Sequence, residues 1–430
     1  MELLLLLLAL PIILIIYFQK QKAKPVKNLH PPGPPGLPFI GNLHQFDGQF
    51  PHKYLYNLSK QYGPFMSMKL GFRPVLVISS ADIVKQIMKS HDIVFSGRPL
   101  LVSQQRLSYN GLDVTFSSYG NKWREMRKMC IIRLFSQKQV HRSFIPVCKD
   151  EVTRMIKKIA RDASVSRITN LSEMVVSFTS NTIYRVAFGK RCEDDGYQEC
   201  LAGWRRISGT WILSIKNSLR STWIQIRPKS MQGDILDSLL GLKREGSSSV
   251  DPTLEHIKAI LMNILAGGTD TGSATIVWAI TALMKNPLIM RKAQAEIRQQ
   301  LAGKKELIDE DDIVKLPYLR AVIKETFRDP KIWKNPDEFV PERFLDSEID
   351  VRGHHPEVIP FGIGWRGCPA MLMGMAEVEL GLANLLYAFD WKLPPAMKEE
   401  NVDFDGLPGL TMHKKSALCA VAKPSIVTDM

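Results

Sequence analysis

The chain has 430 residues, 45% of them hydrophobic and 23% charged, so it can bury a large core and is not a disordered segment. Its 57 Lys and Arg exceed 43 Asp and Glu to give a net charge of +14, which favours an acidic partner or an anionic lipid surface. No basic run is interleaved with aromatics at a nucleic-acid-binding spacing, and the six cysteines form no Cys-x-x-Cys pair, which argues against nucleic acid, a zinc site and a disulfide framework.

Leu3 to Phe18 is an unbroken apolar run. It is slightly shorter than the ~20 residues of a typical spanning helix. No small-x-small cleavage pattern follows it, and Lys20, Lys22, Lys24 and Lys27 do. Positive charge keeps that end in the cytosol. Residues 1–19 are therefore expected to be an uncleaved, single-pass transmembrane signal anchor with the body on the cytosolic side. Residues 20–45 form a basic, proline-rich hinge containing Pro31-Pro32-Gly33-Pro34-Pro35-Gly36-Leu37-Pro38. Proline fixes φ and removes amide donors, so this reads as a stiff spacer. Residues 46–430 are expected to form one catalytic domain.

Within that body the fold is read as mainly α with a small β region. Pro74 to Ser79 is the clearest strand. Trp123 and Arg127 are one helical turn apart, with Lys122, Arg124, Lys128 and Arg133 around them. On spacing alone they describe a solvated helix with one anchoring aromatic. Val152, Met155, Ile156 and Ile159 share one helix face. Leu254 to Leu283 is a long, nearly all-apolar helix, with Asp251-Pro252 as N-cap and first-turn proline and Asn286-Pro287 as its stop. Gly267-Gly268-Thr269-Asp270-Thr271 interrupts its middle with poor helix formers. Thr271 is spaced to bond the Gly267 carbonyl and bend the helix. A packing glycine pair with satisfied polar neighbours accounts equally well for that segment.

Tyr318, Leu319, Val322, Ile323 and Thr326 line a further helix on which Glu325 and Arg328 sit at i, i+3. Pro336, Phe339, Pro341, Arg343 and Phe344 follow. Phe361-Gly362-Ile363-Gly364-Trp365-Arg366-Gly367-Cys368-Pro369-Ala370 then leads into an apolar helix over Met371 to Tyr387. Glycines 362, 364 and 367 permit a tight turn, and a thiolate just before a helix gains from backbone amides and the helix dipole. A lone soft thiolate suits iron with an open coordination position, and Arg366 is placed to meet an acidic group of a cofactor. The alternative is a buried free cysteine in a glycine-rich turn.

Phe361, Gly364, Arg366 and Cys368 at these spacings resemble the haem-binding signature of the cytochrome P450 superfamily. The other motifs occur in the family's order, and the anchor and hinge look most like the plant microsomal group. The resemblance implies a cytochrome P450 fold behind an N-terminal transmembrane helix, with haem b as cofactor and O2 as co-substrate. It implies that Cys368 is the axial metal ligand, that Phe361 packs by its sulfur, and that Arg366, Trp123 and Arg127 reach haem propionates. Asp270 and Thr271 correspond to the acid and alcohol that deliver protons. Glu325, Arg328 and Arg343 correspond to a structural ion network. Electrons would come from NADPH through cytochrome P450 reductase docked on the basic face around Trp123. The substrate would be a small apolar organic molecule, a specialised metabolite, and the location the endoplasmic reticulum membrane.

The chain departs from the family in several places. Ala370 replaces the usual glycine, and Gly272 stands where a hydroxyl is common. Arg328 runs directly into Asp329-Pro330-Lys331-Ile332-Trp333, where a few dozen residues are normally inserted, and the stretch from Gly203 to Met231 is short. The fold is therefore expected to be incomplete. A chain of this family without turnover is the alternative to an active monooxygenase.

Overall fold

The computed structural model describes residues 31–192, 233–245, 252–304, 306–327, 338–395, 397–409 and 411–425. The apolar run at the N-terminus, the stretch from Gly203 to Met231, and Asp251, Arg328, Trp333 and Pro336 lie outside the described residues. The chain divides into two compact units, Met1–Gln86 and Ile87–Met430.

In the first unit, α1 (Pro51–Tyr62) precedes an antiparallel hairpin of β1 (Phe65–Leu70) and β2 (Arg73–Ile78). β2 contains nearly all of the predicted strand. Period-2 alternation turns Met66 and Met68 inward against Val77, and Tyr54, Leu55 and Leu58 of α1 pack on them. The described prolines are held against β1. Ser67 donates from its amide to the Pro32 carbonyl at 2.9 Å and from its hydroxyl to that of Pro31 at 2.7 Å. Asn42 donates to the carbonyls of Pro34 and Pro35. Prolines lack donors but keep acceptors, and this segment uses them.

The second unit is helical, with two small sheets. A helix α2 (Ala81–Phe95) spans the division. Then come α3 (Asn121–Arg133), α4 (Ile145–Ser164), α5 (Leu171–Phe188), α6 (Ile235–Glu245), α7 (Leu254–Lys285), α8 (Pro287–Gln300), α9 (Pro317–Thr326) and α10 (Met371–Ala388). In the three-stranded sheet β7 (Cys419–Pro424) lies between β3 (Thr169–Asn170) and β4 (Phe389–Lys392). A short hairpin pairs β5 (Gly406–Leu407) with β6 (His413–Lys414).

α7 is the central element, packed on α5, α10, α8 and α9. It is apolar nearly all round because it is buried nearly all round. Its start differs from the sequence expectation. The side chain of Thr253 caps it by accepting from the His256 amide at 3.3 Å, and Pro252 precedes the cap instead of opening the first turn. Its end is as expected: Asn286 closes α7 and Pro287 opens α8. The four residues predicted to share the inner face of α4 are all buried. Among the described residues α10 alone is long and apolar enough to cross a membrane, and it is a core helix.

Candidate functional site

The loop before α10 is tied to itself and to α2. Cys368 donates its amide to the Phe361 carbonyl at 2.7 Å, closing the turn. Gly362 and Gly364 have φ of 71° and 68°, in the left-handed region that glycine tolerates. Asp92 accepts the Trp365 amide at 2.8 Å, and a Cβ on Gly364 would lie 2.3 Å from that carboxylate. Gly367 does not need its freedom for the turn, since its φ is −54°. The Phe361 ring lies against Gly374 of α10.

Cys368 is exposed and lines a cavity of about 380 Å³. Burial among protein groups pushes its thiol up, while the Ala370 amide and Arg127 oppose that shift. Cys130 touches the same cavity but is buried, and its thiol is pushed up to about 12. Of the two, Cys368 is the one exposed at the cavity.

Arg98, Arg127 and Arg366 line one wall of the cavity. Arg127 donates to the Gly367 carbonyl at 2.5 Å. Arg366 donates to the carbonyls of Ser96 and Ser117, each at 2.7 Å, and stacks over Trp123 at 4.1 Å. Burial, then repulsion from Arg98 and Arg127, lowers the Arg366 guanidinium to about 10. Such a cluster calls for an anion. Trp123 does not reach the cavity: it is buried, donates its indole N–H to the Val114 carbonyl at 2.9 Å, and serves as a platform for two guanidinium groups. Arg98 and Asp92 gave no sequence signal, because each is a single residue in an unremarkable stretch that only folding brings to the loop.

On the opposite wall α7 presents Gly267, Gly268, Thr271, Gly272 and Thr275. Thr271 donates to the Gly267 carbonyl at 2.6 Å, the back-bond expected from spacing. Asp270, next to it, is directed elsewhere. It does not line the cavity, and its carboxylate is hydrogen-bonded to Nε2 of His413 on β6. The helix glycines allow close approach: a Cβ on Gly268 would meet Ile183 at 2.7 Å, and one on Gly272 would meet Glu377 Oε2 at 2.2 Å. Glu377 of α10 lines the cavity, is 1% exposed and is pushed well above the usual carboxyl range by burial. Sequence reading missed it, although an acid inside an apolar helix was the available signal.

Of the expected ion network, Glu325 and Arg343 meet. Glu325 is buried, accepts the Val340 amide at 2.9 Å and pairs with Arg343 Nε at 3.0 Å. Arg328 lies outside the described residues.

The donor set fits a haem. Among the described residues no group of three or more His, Cys, Asp or Glu is placed to hold a metal ion. A single thiolate therefore suits an iron that brings its other ligands with it. The guanidinium wall suits the carboxylates of the macrocycle, and Ile183, Ile260, Ile264 and Val378 suit its apolar body.

The sequence pattern of the family described as Cytochrome P450 matches residues 31–208, 211–328 and 327–421. The joins between these pieces fall at the two places where the chain departs from the family's usual length. The chain is 38% identical to the 5-OH-xanthotoxin synthase of Ammi majus, covering 96% of each chain. It is 38% identical to the 6,7,8-trihydroxycoumarin synthase of Pastinaca sativa, covering 96% of this chain and 97% of that one. It is also 38% identical to Cytochrome P450 71B37 of Arabidopsis thaliana, covering 91% and 93%. The first of these alignments runs over 496 positions, which exceeds the chain's own 430 residues by 66, so that relative carries residues with no counterpart here. Among solved structures, a zebrafish cytochrome P450 with abiraterone superposes with a TM-score of 0.74 at 21% identity, covering 87% of this chain and 99% of that one. That likeness shows the fold.

Proposed function

This chain belongs to the cytochrome P450 family, and on that footing we propose that it is a membrane-bound haem-thiolate monooxygenase inserting one oxygen atom of O2 into a small, apolar specialised metabolite. The observation that carries the reading is Cys368, open to the cavity beneath a guanidinium wall and held by a loop closed on Phe361. A haem bound there supplies the redox chemistry, activating dioxygen with electrons that NADPH provides through the reductase.

The chain's own residues do the rest. Cys368 Sγ is the metal ligand, while Arg366, Arg127 and Arg98 hold the propionates. Thr271 Oγ1 holds a proton on the cavity wall and must release the Gly267 carbonyl to present it. Asp270 is the acid that resupplies Thr271. Glu325 and Arg343 hold the segment after α9 and touch no substrate. The relatives' names, a trihydroxycoumarin synthase among them, support a small plant metabolite as substrate. Lys122, Arg124 and Lys128 are exposed on α3, a basic face that suits an acidic reductase.

Residues 1–19 anchor the protein in the endoplasmic reticulum membrane with the body in the cytosol, by the charge argument of Lys20 to Lys27. Protease added to intact microsomes is expected to digest the body; a fully protected body would reverse the topology.

Cys368→Ser is expected to abolish the red-shifted Soret band of the reduced carbonmonoxy form. An unchanged band would remove Cys368 as the ligand. A second reading, a family member with poor haem retention and little turnover, is favoured by the break in the family match at residues 327–328.

A further inference from the structure

We propose that His413 is a positioning residue for Asp270: its imidazole holds the carboxylate on the side of α7 away from the cavity and so limits its supply of protons to Thr271. The inference rests on the reading of Asp270 and Thr271 as the proton path.

Two neighbours on α7 face different ways. Thr271 lines the cavity and Asp270 does not. Asp270 Oδ1 is hydrogen-bonded to His413 Nε2, and the two side chains are 12% and 23% exposed. A carboxylate turned from the cavity cannot serve Thr271 until it swings back, so whatever holds it outward controls the supply. His413 is the group in contact with it, and it is partly open to solvent.

The hairpin fixes the imidazole in place. His413 pairs with Leu407 across β5 and β6. One residue earlier, the Met412 carbonyl accepts the indole N–H of Trp278 at 2.8 Å, and Phe404 stacks on Trp278 at 6.1 Å. Trp278 lies two turns along α7 from Asp270, so hairpin and helix are clamped beside the pair. Of the charged groups on the elements beside His413, α7 places Asp270 in contact with it. On β6 Lys414 is bound to Asp403 at 2.8 Å. Lys285, farther along α7, donates to the Val402 carbonyl.

The test uses the full chain with Asp270→Asn, His413→Leu and His413→Gln, the last keeping a hydrogen-bond donor. A double-mutant cycle in chemical unfolding joins His413→Leu to Asp270→Asn. The expected result is an unfolding constant that departs severalfold from the product of the single changes. His413→Gln should keep part of that excess. With haem and reductase, peroxide released per NADPH oxidised should rise severalfold in Asp270→Asn and fall in His413→Leu, where the carboxylate is released, while His413→Gln stays near the parent. No excess in the cycle would overturn the pairing. A raised peroxide yield in Asp270→Asn with a yield unchanged from the parent in His413→Leu would overturn the inference and leave the Asp270 reading intact. Unaltered yield in all three, with the excess present, would overturn the proton path itself. A parent chain that oxidises no NADPH would overturn the catalytic half.

Discussion

Glu377 shows how far a single side chain can be pushed by its surroundings. Its carboxyl is buried against Gly272, and burial is the sole cause raising it. In an unfolded chain a glutamate titrates near ~4.3. Below that pH both states hold the proton and folding carries no penalty. As pH rises towards the folded value, the unfolded chain loses its proton first, and folding loses about 1.4 kcal/mol per pH unit. Glu377→Gln removes this linkage. The melting temperature of the variant should therefore gain on the parent between pH 5 and pH 7.5. A constant gap across that range would mean that the carboxyl ionises normally in the folded protein. The same physics raises both cysteines on the cavity, and sealed Cys130 is pushed up to about 12, while at Cys368 the Ala370 amide and Arg127 oppose the shift.

At the scale of the element, the loop from Phe361 to Cys368 depends on its glycines unequally. Gly364 combines φ of 68° with a Cβ position 2.3 Å from the Asp92 carboxylate. A side chain there incurs about 1–2 kcal/mol of left-handed strain, and Asp92 must also move. Gly367 has an ordinary φ, and its added Cβ would sit 3.2 Å from the Gly364 carbonyl. Gly364→Ala should lower haem content and stability more than Gly367→Ala. Equal losses would show that the Asp92 contact is unimportant. α7 behaves likewise: its glycines at 268 and 272 make room for Ile183 and Glu377, and the helix keeps its hydrogen bonds through them.

For the whole molecule the issue is the joint after α9. Phe327 is on the cavity wall, and Arg328 runs at once into Asp329-Pro330. Glu325 and Arg343 still pair across the interval. A few dozen missing residues would nevertheless leave apolar surface uncovered. A few hundred Å² at roughly 25 cal/mol per Å² amounts to several kcal/mol, against a usual total margin of about 5–15 kcal/mol. A version with a family-like segment restored after Arg328 should hold more haem per mole of protein and turn over faster than the present chain. Equal haem content and equal turnover would show that the joint costs little.

The linear chain marked α4, α7, α9 and α10, because hydrophobic period is a local pattern, whereas α1, α2, α5, α6 and α8 were not read from it. The inner faces of α4 and α9, the end of α7 at Asn286-Pro287 and the back-bond of Thr271 were readable from spacing. Cys368 stood out too, because Phe361, Gly364, Arg366 and Cys368 resemble the family's signature, and the loop they mark closes Cys368 on Phe361 in the structure. What the sequence could not determine was direction across space. Trp123 and Arg366 are 243 residues apart in number, and only folding makes one the platform of the other. Asp270 and Thr271 are adjacent in sequence, yet a helix turns successive side chains about 100° apart. That rotation gives Thr271 to the cavity and Asp270 to His413, a partner 143 residues away.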